Sequence, residues 1–309
     1  MSFQSIDWGK APNVLAAMNL FSRRFPYFKS LIPRQFEEFG MAWLNAFELE
    51  LSKFFPNNLS ALESAAEGYG RFSLDGMRLQ KLFDKTHCYE NKTYAEAAQD
   101  VYQNKDYMFS LYLPGILLSH YLWRHHYLQH IFFVEKFLPL VRAHGGKRFY
   151  DIGVGTGFYS KEMLVNLPEV VGEGFDLSPY SLEHTVDMLS KWDVADRYHP
   201  NLRNVVTDTP AKPASFLVNI EVLEHLEDPQ EFLNALFQML EPGGYGLISA
   251  AITAPNADHI YLYNSADEVI LQLAAAGFEL VDYIEDAAYV PRKPTDTVPR
   301  NAAFIVTRK

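Results

Sequence analysis

The pattern of apolar and polar positions changes near residue 145. Before that point apolar residues recur at helical spacing. In FEEFGMAWLNAFELEL, Phe36, Phe39, Trp43, Phe47 and Leu51 fall at steps of three and four, which puts them on one stripe of a helix. TYAEAAQDVYQ opens with Thr93 and Glu96 at capping-box spacing. Residues 116–141 predict a long apolar-aromatic helix, or two, ending near Pro139 and the Gly145–Gly146 pair. The chain has no internal repeat and no low-complexity run.

From residue 147 short apolar runs alternate with amphipathic ones. RFYDI reads as a strand and 158–166 as a helix; VVGEGFD is a strand, followed by a helix with Ser178 as N-cap and Pro179 at its first position. NVVTD and FLVNI read as short strands. PQEFLNALFQML is amphipathic, with Phe232, Leu233, Leu236, Met239 and Leu240 on one side. GYGLISAAI is a strand, and SADEVILQLAAAG a helix with a Ser265–Glu268 capping box and Gly277 as its stop. FELVDYI and AAFIVTR follow as strands. The expected fold is therefore α/β: a Rossmann-like, mainly parallel seven-stranded sheet with helices on both faces, preceded by an all-helical N-terminal domain. The expected boundary divides residues 1–145 from 146–309.

In such sheets ligands bind at the carboxyl ends of the strands, where KRFYDIGVGTGFYSKEML places three glycines between a strand and a helix. A phosphate loop of the Walker type needs Lys and Ser/Thr after its last glycine, and Gly157 is followed by Phe158, Tyr159 and Ser160. A dinucleotide fingerprint needs a third glycine where Phe158 stands. Asp151, at the end of the strand, would oppose a pyrophosphate and suits a ligand with a cationic end. S-adenosylmethionine has an ammonium, a sulfonium and no phosphate. Asp176, ending the next strand, can accept both ribose hydroxyls of an adenosine, a role common to NAD and S-adenosylmethionine proteins. The competing roles are structural: Asp151 as a cap of the turn, Asp176 as a charge at a helix start.

Composition narrows the partners. With 309 residues, 48% of them hydrophobic, the chain can bury a large core. Its net charge of −11 is uneven: residues 1–145 balance at +1 and residues 146–309 at −12. An acidic domain repels phosphate backbones, so nucleic acid is not an expected partner. One cysteine, Cys88, allows no internal disulfide and is expected to be a small buried residue. The opening MSFQSIDWGKAP carries no secretory pattern, and charges interrupt the most apolar stretch, so no membrane span and a cytoplasmic location are expected.

Residues 147–309 resemble the catalytic domain of class I S-adenosylmethionine-dependent methyltransferases, in the branch of ubiquinone biosynthesis. YDIGVGTG is similar to the family's first motif and GFDLSPYSLE to its second. NIEVLEHLEDPQEFLNALFQMLEPGG is similar to the segment after the fourth strand, and DHIYLYNSADEVILQLAAAGFEL to the closing segment. The resemblance implies S-adenosyl-L-methionine as cofactor. Asp151, Gly153, Gly155 and Gly157 would hold its methionine part, and Asp176 with Leu177 its ribose. Asp208 and Thr209 would lie at the adenine, and Asn219, Ile220 and Glu221 beside the methionine end. One departure is Ser215, where the family usually has Asp at the head of the fourth strand.

Methyl transfer requires an aligned acceptor and, for a hydroxyl or ammonium, loss of a proton. Glu224 and His259 are the candidate bases, with a helix-capping role as the competing one for Glu224 and His225. If DHIYLY is extended, His259, Tyr261 and Tyr263 share one face. In SHYLWRHHYLQH, Tyr121, Arg124, His125 and Tyr127 are candidates to shape the acceptor pocket, Arg124 by pairing with an acidic acceptor. His126 and His130 are spaced as paired ligands, but no third ligand lies nearby in sequence, and no metal is expected. The expected function is methylation of a small molecule, at oxygen before nitrogen, with a homodimer through the helical domain as a possible assembly. The alternative is a protein that binds S-adenosylmethionine without transferring its methyl.

Overall fold

A computed structural model of the chain describes residues 3, 6–90, 93–291, 293 and 297–309. Met1, Ser2, Gln4 and Ser5 of the opening segment lie outside the described residues. The N-terminal region comprises helices α1 (Pro12–Arg24), α2 (Leu31–Phe54), α3 (Leu59–Thr86), α4 (Tyr94–Ala97), α5 (Lys105–Tyr107), α6 (Leu113–Leu122), α7 (Arg124–Phe132) and α8 (Leu138–His144). The predicted stripe of α2 is buried at Phe36, Trp43, Phe47 and Leu51, and Gly40, at φ +69°, kinks the helix within it. The Thr93–Glu96 capping box is present. The segment 116–141 is broken at Trp123, whose ψ of 124° separates α6 from α7. Pro139 does not end a helix; it follows a π-helical stretch, Phe133–Phe137, which joins α7 to α8 and loosens the hydrogen-bond ladder where the proline lacks an N–H. Two π-helical stretches, Ala98–Tyr102 and Met108–Tyr112, flank α5.

The sheet has strands β1 (Arg148–Ile152), β2 (Val171–Asp176), β3 (Tyr198–Leu202), β4 (Ala214–Asn219), β5 (Leu240–Ile252), β6 (Glu279–Ala287) and β7 (Arg300–Thr307). Their order is β3-β2-β1-β4-β5-β7-β6, with β7 antiparallel to both its neighbours. Order reverses between β1 and β4, which makes the end of β1 the switch point where a ligand cleft opens. Between the strands run α9 (Phe158–Asn166), α10 (Pro179–Lys191), α11 (Pro229–Met239) and α12 (Ala266–Ala276). Period-two alternation splits the core: Phe149, Phe216, Val218, Leu247 and Ile305 pack toward α9, α10 and the N-terminal helices, while Tyr150, Leu217, Ile248 and Phe304 pack toward α11 and α12. The N-terminal helices and one sheet face thus share a continuous core.

Two expectations about elements are corrected. NVVTD is a turn, and the third strand is YHPNL at 198–202. This strand lies at the sheet edge, largely exposed, so it carries no apolar run and tolerates Pro200. Val205 is apolar because it packs in the core beneath the sheet's end. Ser265 caps α12 by position without a side-chain bond; Glu268 Oε2 instead accepts from the Asn264 amide at 3.1 Å. Cys88 is exposed rather than buried, because it follows the left-handed end of α3 at His87 in a surface turn. Among the described residues, no helix is long and apolar enough to cross a membrane.

Candidate functional site

A cavity of about 1380 Å³ opens above the end of β1. Single ligand pockets usually hold roughly 300–1,000 Å³, so this one has room for two molecules. Its floor is the glycine turn. Gly153 and Gly155 take φ of +74° and +54°, which residues with a Cβ avoid. A Cβ on Gly153 would stand 2.4 Å from Val222 Cγ2, whereas above Gly155 there is only open space. Gly157 lies off the cavity wall; it opens α9 at φ +76° and lets Thr185 of α10 approach.

Two carboxylates face this turn. Asp151 Oδ2 accepts from Ser160 Oγ at 2.6 Å, and burial pushes its pKa up to about 7. Asp176 accepts from the Ser178 amide at 2.7 Å and from the Gly155 amide at 3.4 Å, so it braces the glycine turn from β2. Burial raises its pKa to about 6, against those amide bonds. Both line the cavity, with Leu177, Ile220 and Glu221.

At the adjoining wall the polypeptide turns are arranged around acids. Glu221 sits at φ +51°, two residues beyond the end of β4. Its carboxylate meets His126 Nε2 at 3.3 Å and accepts from Asn301 Nδ2 of β7. Burial opposes its ionisation, but the histidines facing it hold its pKa below the carboxylate range. Glu224 is fully buried behind the cavity wall, and neither oxygen has a well-formed hydrogen bond. Burial pushes its pKa up, only partly offset by His225. Glu224 and His225 do not cap the next helix; Asp228 does, accepting from the Glu231 amide.

His259 lines the cavity, and its Nδ1 donates to the Ala254 carbonyl at 2.5 Å. Burial, with His225 beside it, lowers its pKa to about 4, so the ring is neutral at pH 7 with Nε2 as its free nitrogen. His225 Nδ1 lies 3.1 Å from the Asp258 carbonyl and 3.4 Å from Asp258 Oδ2. The same Oδ2 accepts from the hydroxyls of Tyr102 (2.8 Å) and Tyr112 (2.6 Å), which close the two π-helical stretches.

Several predicted residues stand elsewhere. Asp208 is an exposed partner of Arg203, at 2.6 Å; the cavity wall there is Arg203, Asn204, Val205 and Val206, and Thr209 bonds the Val205 carbonyl. Asn219 is buried and fastens β4 to β1 by donating to the Ile152 carbonyl at 2.8 Å. Tyr121 lies in the helical core, donating to Glu50. Tyr261 and Tyr263 do not share a face with His259, because the segment is a loop; both hydroxyls bond Gln272 of α12. Arg124 and His125 line the cavity, but Arg124 is already paired with Glu38 and Asp286. His126 and His130 face different acids, Glu221 and Glu162. Ser215 bonds Glu241 at the far end of β4.

Sequence reasoning missed Tyr102, Tyr112, Asp258 and Asn301, and it weighed His126 only as a partner of His130. Asp258 had one signal, its place beside His259 in the loop after β5. The other three come from segments with no motif and reach the site only through tertiary packing.

The sequence profile of the methyltransferase-domain family matches residues 123–283. It begins at Trp123, inside the helical region. A probable S-adenosylmethionine-dependent methyltransferase of Mycolicibacterium smegmatis is 27% identical over 179 residues, covering 55% of this chain and 64% of that protein. A ubiquinone biosynthesis O-methyltransferase of Pseudomonas putida is 24% identical over 132 residues, covering 43% and 55%. The chain therefore spans less than two thirds of these relatives' length. The solved structure of the N-methyltransferase NodS from Bradyrhizobium japonicum, in complex with S-adenosyl-L-homocysteine, superposes with a TM-score of 0.51 at 17% identity. It covers 67% of this chain and 98% of its own, and shares its fold. With that sheet, that glycine turn and a profile match across more than half its residues, the chain belongs to the methyltransferase-domain family, the class I S-adenosylmethionine-dependent methyltransferases.

Proposed function

We propose that this protein transfers a methyl group from S-adenosyl-L-methionine to a small, partly apolar acceptor, at oxygen in preference to nitrogen. The cavity fits the donor on its own terms. The open space over Gly155 admits a ligand against the backbone, and two carboxylates with no Lys or Arg in the turn suit a ligand with a cationic end better than a phosphate. Asp151 would face the ammonium, Asp176 the ribose hydroxyls, and Val205 with Val206 the adenine. Bound there, the donor supplies a sulfonium-activated methyl group.

An aromatic arm of the same cavity wall, Tyr69, Phe72 and Met77 of α3 with Ile116 of α6, would meet the acceptor, and His259 belongs to the same lining. The imidazole, neutral at pH 7, gives a hydroxyl a lone pair to align on. The single observation that carries the reading is one continuous cavity holding the acidic glycine turn, His259 and an aromatic arm.

Calorimetric titration with S-adenosylmethionine, S-adenosylhomocysteine and NAD tests the donor. Micromolar binding of the first two and none of NAD is expected; binding of NAD alone overturns the reading. Release of S-adenosylhomocysteine with hydroxylated aromatic acceptors then tests transfer. Donor binding without turnover on any acceptor would favour a protein that holds the cofactor and does not use its methyl.

A further inference from the structure

One helix of the cavity wall carries a glycine that its own packing leaves unexplained. In α3 the lining residues Phe72, Ser73, Gly76, Met77, Gln80 and Lys81 recur at helical spacing, so they form one stripe along the cavity. Glycine inside a helix is unfavourable relative to alanine. Gly68 and Gly70 of the same helix are required by close approach: a Cβ would stand 2.4 Å from the Ser110 carbonyl oxygen and 2.6 Å from the Phe25 ring. Over Gly76 a Cβ would meet nothing within 4 Å, and its φ is not positive. The missing side chain leaves room in the cavity. We propose that Gly76 is a specificity-determining residue for an elongated acceptor, which crosses α3 over it with an aromatic end at Phe72 and an anionic end at Lys81.

The two ends of the stripe differ in chemistry. Phe72 stacks on Trp123, with ring centroids 5.8 Å apart, and meets Tyr112 edge-on. Tyr112 donates to Asp258, the residue before His259, which sets this end on the His259 side. At the other end stands Lys81. The cavity lining holds Arg34, Lys81, Arg124, Arg203 and Arg300. Arg124, Arg203 and Arg300 are each paired with an acid, whereas Arg34 and Lys81 have no acid partner among the described residues. Asp84, one turn beyond Lys81, accepts instead from Gln80 Nε2 at 2.8 Å. The unpaired cations of the lining thus belong to α2 and α3, and the acids Asp151 and Asp176 to the glycine turn. That sorting suits a cationic donor at the turn and an anionic acceptor end at the helices.

Helix geometry sets the length. Phe72 and Lys81 are nine residues apart in α3, roughly 13 Å along the axis. A hydroxylated ring joined to a carboxylate through about seven methylenes spans that distance. Gly76 lies between the two ends, where any larger side chain would stand in the path of the linker. This deepens the reading above, on which it rests for the donor and for the ring as the end that is methylated.

The test is calorimetric titration of the full chain, with and without S-adenosylhomocysteine, using ω-(p-hydroxyphenyl)octanoate, its methyl ester and p-hydroxyphenylacetate. The octanoate should bind about tenfold more tightly than the ester, which lacks the charge, and than the acetate, which is too short to reach Lys81. Gly76→Leu should weaken the octanoate by about tenfold or more and leave the affinities for the acetate and S-adenosylhomocysteine unchanged. Its melting temperature should equal or exceed that of the wild type, since leucine favours a helix. Lys81→Gln should weaken the octanoate by about tenfold and leave the ester as it was. Equal binding of octanoate and ester overturns the anionic end. Wild-type octanoate affinity in Gly76→Leu overturns the part given to Gly76, and no octanoate binding overturns both. Should Gly76→Leu melt below the wild type, the wild-type chain decides: equal affinity for octanoate and acetate overturns the elongated acceptor. Octanoate binding without S-adenosylhomocysteine binding would keep the arm and overturn the donor reading, so the two failures are distinct.

Discussion

Asp151 and Asp176 show how single residues were legible and what they now predict. Each ends a strand beside a glycine turn, and that placement marked both for a cationic nucleoside. Burial raises their pKa values to about 7 and about 6. On the proposed reading the donor's ammonium and ribose hydroxyls meet the ionised forms, so binding releases protons and affinity falls as pH drops through this window. S-adenosylmethionine is expected to bind at least tenfold more weakly at pH 5 than at pH 8, about 1.4 kcal/mol. In Asp176→Asn the pH 8 affinity should fall by about the same amount, as calorimetry at both pH values would show; a flat profile in the wild-type chain removes both acids from the donor site. His259→Ala should lower kcat by about 10²-fold while S-adenosylhomocysteine affinity holds. A variant with normal turnover would relieve His259 of any part in the reaction. Tyr121, Tyr261 and Tyr263 were illegible at this scale, because an aromatic near a motif reads the same whether it lines a cavity or fills a core.

Elements were read where periodicity is imposed by burial on one side. β1 and α9 match their expected limits, since each lies in the core with clear stop signals. β3 was misread for the opposite reason: at an exposed sheet edge nothing requires an apolar run, and the nearby valines are apolar for the sake of the cavity wall. The turn between β1 and α9 carries a prediction of its own. Gly153→Ala would place a Cβ against Val222 on a backbone with positive φ. A loss of about 1–3 kcal/mol of stability is expected, together with weaker S-adenosylhomocysteine binding, both measurable by thermal shift with and without ligand. Unchanged melting and affinity would show that the turn relaxes without cost.

The whole molecule is joined by charges that no local pattern announces. Lys161 of α9 is buried and bridges Glu50 of α2, at 2.8 Å, and Glu162, at 2.5 Å. Glu50 also accepts from Tyr121, so one ammonium ties the N-terminal helices to the sheet domain. Lys161→Ala would take the ammonium from two buried carboxylates, leaving Glu50 with the Tyr121 hydroxyl and Glu162 with His130; it should destabilise the chain by about 3–5 kcal/mol, read as a single cooperative unfolding transition. Separate melting of the two regions would instead mean that they fold apart. The sequence placed a boundary near 145 from charge and periodicity, but the core crosses it, and the N-terminal helices supply part of the cavity wall.

The carboxylate of Glu221 gathers His126 from α7 and Asn301 from β7, partners separated from it by 95 and 80 residues. Such a junction cannot form while the chain is partly made. During synthesis from the amino end, the helices and the first five strands leave the ribosome before Asn301 exists to complete the site. The Glu221 junction is therefore made only once β7 is available to pair with it.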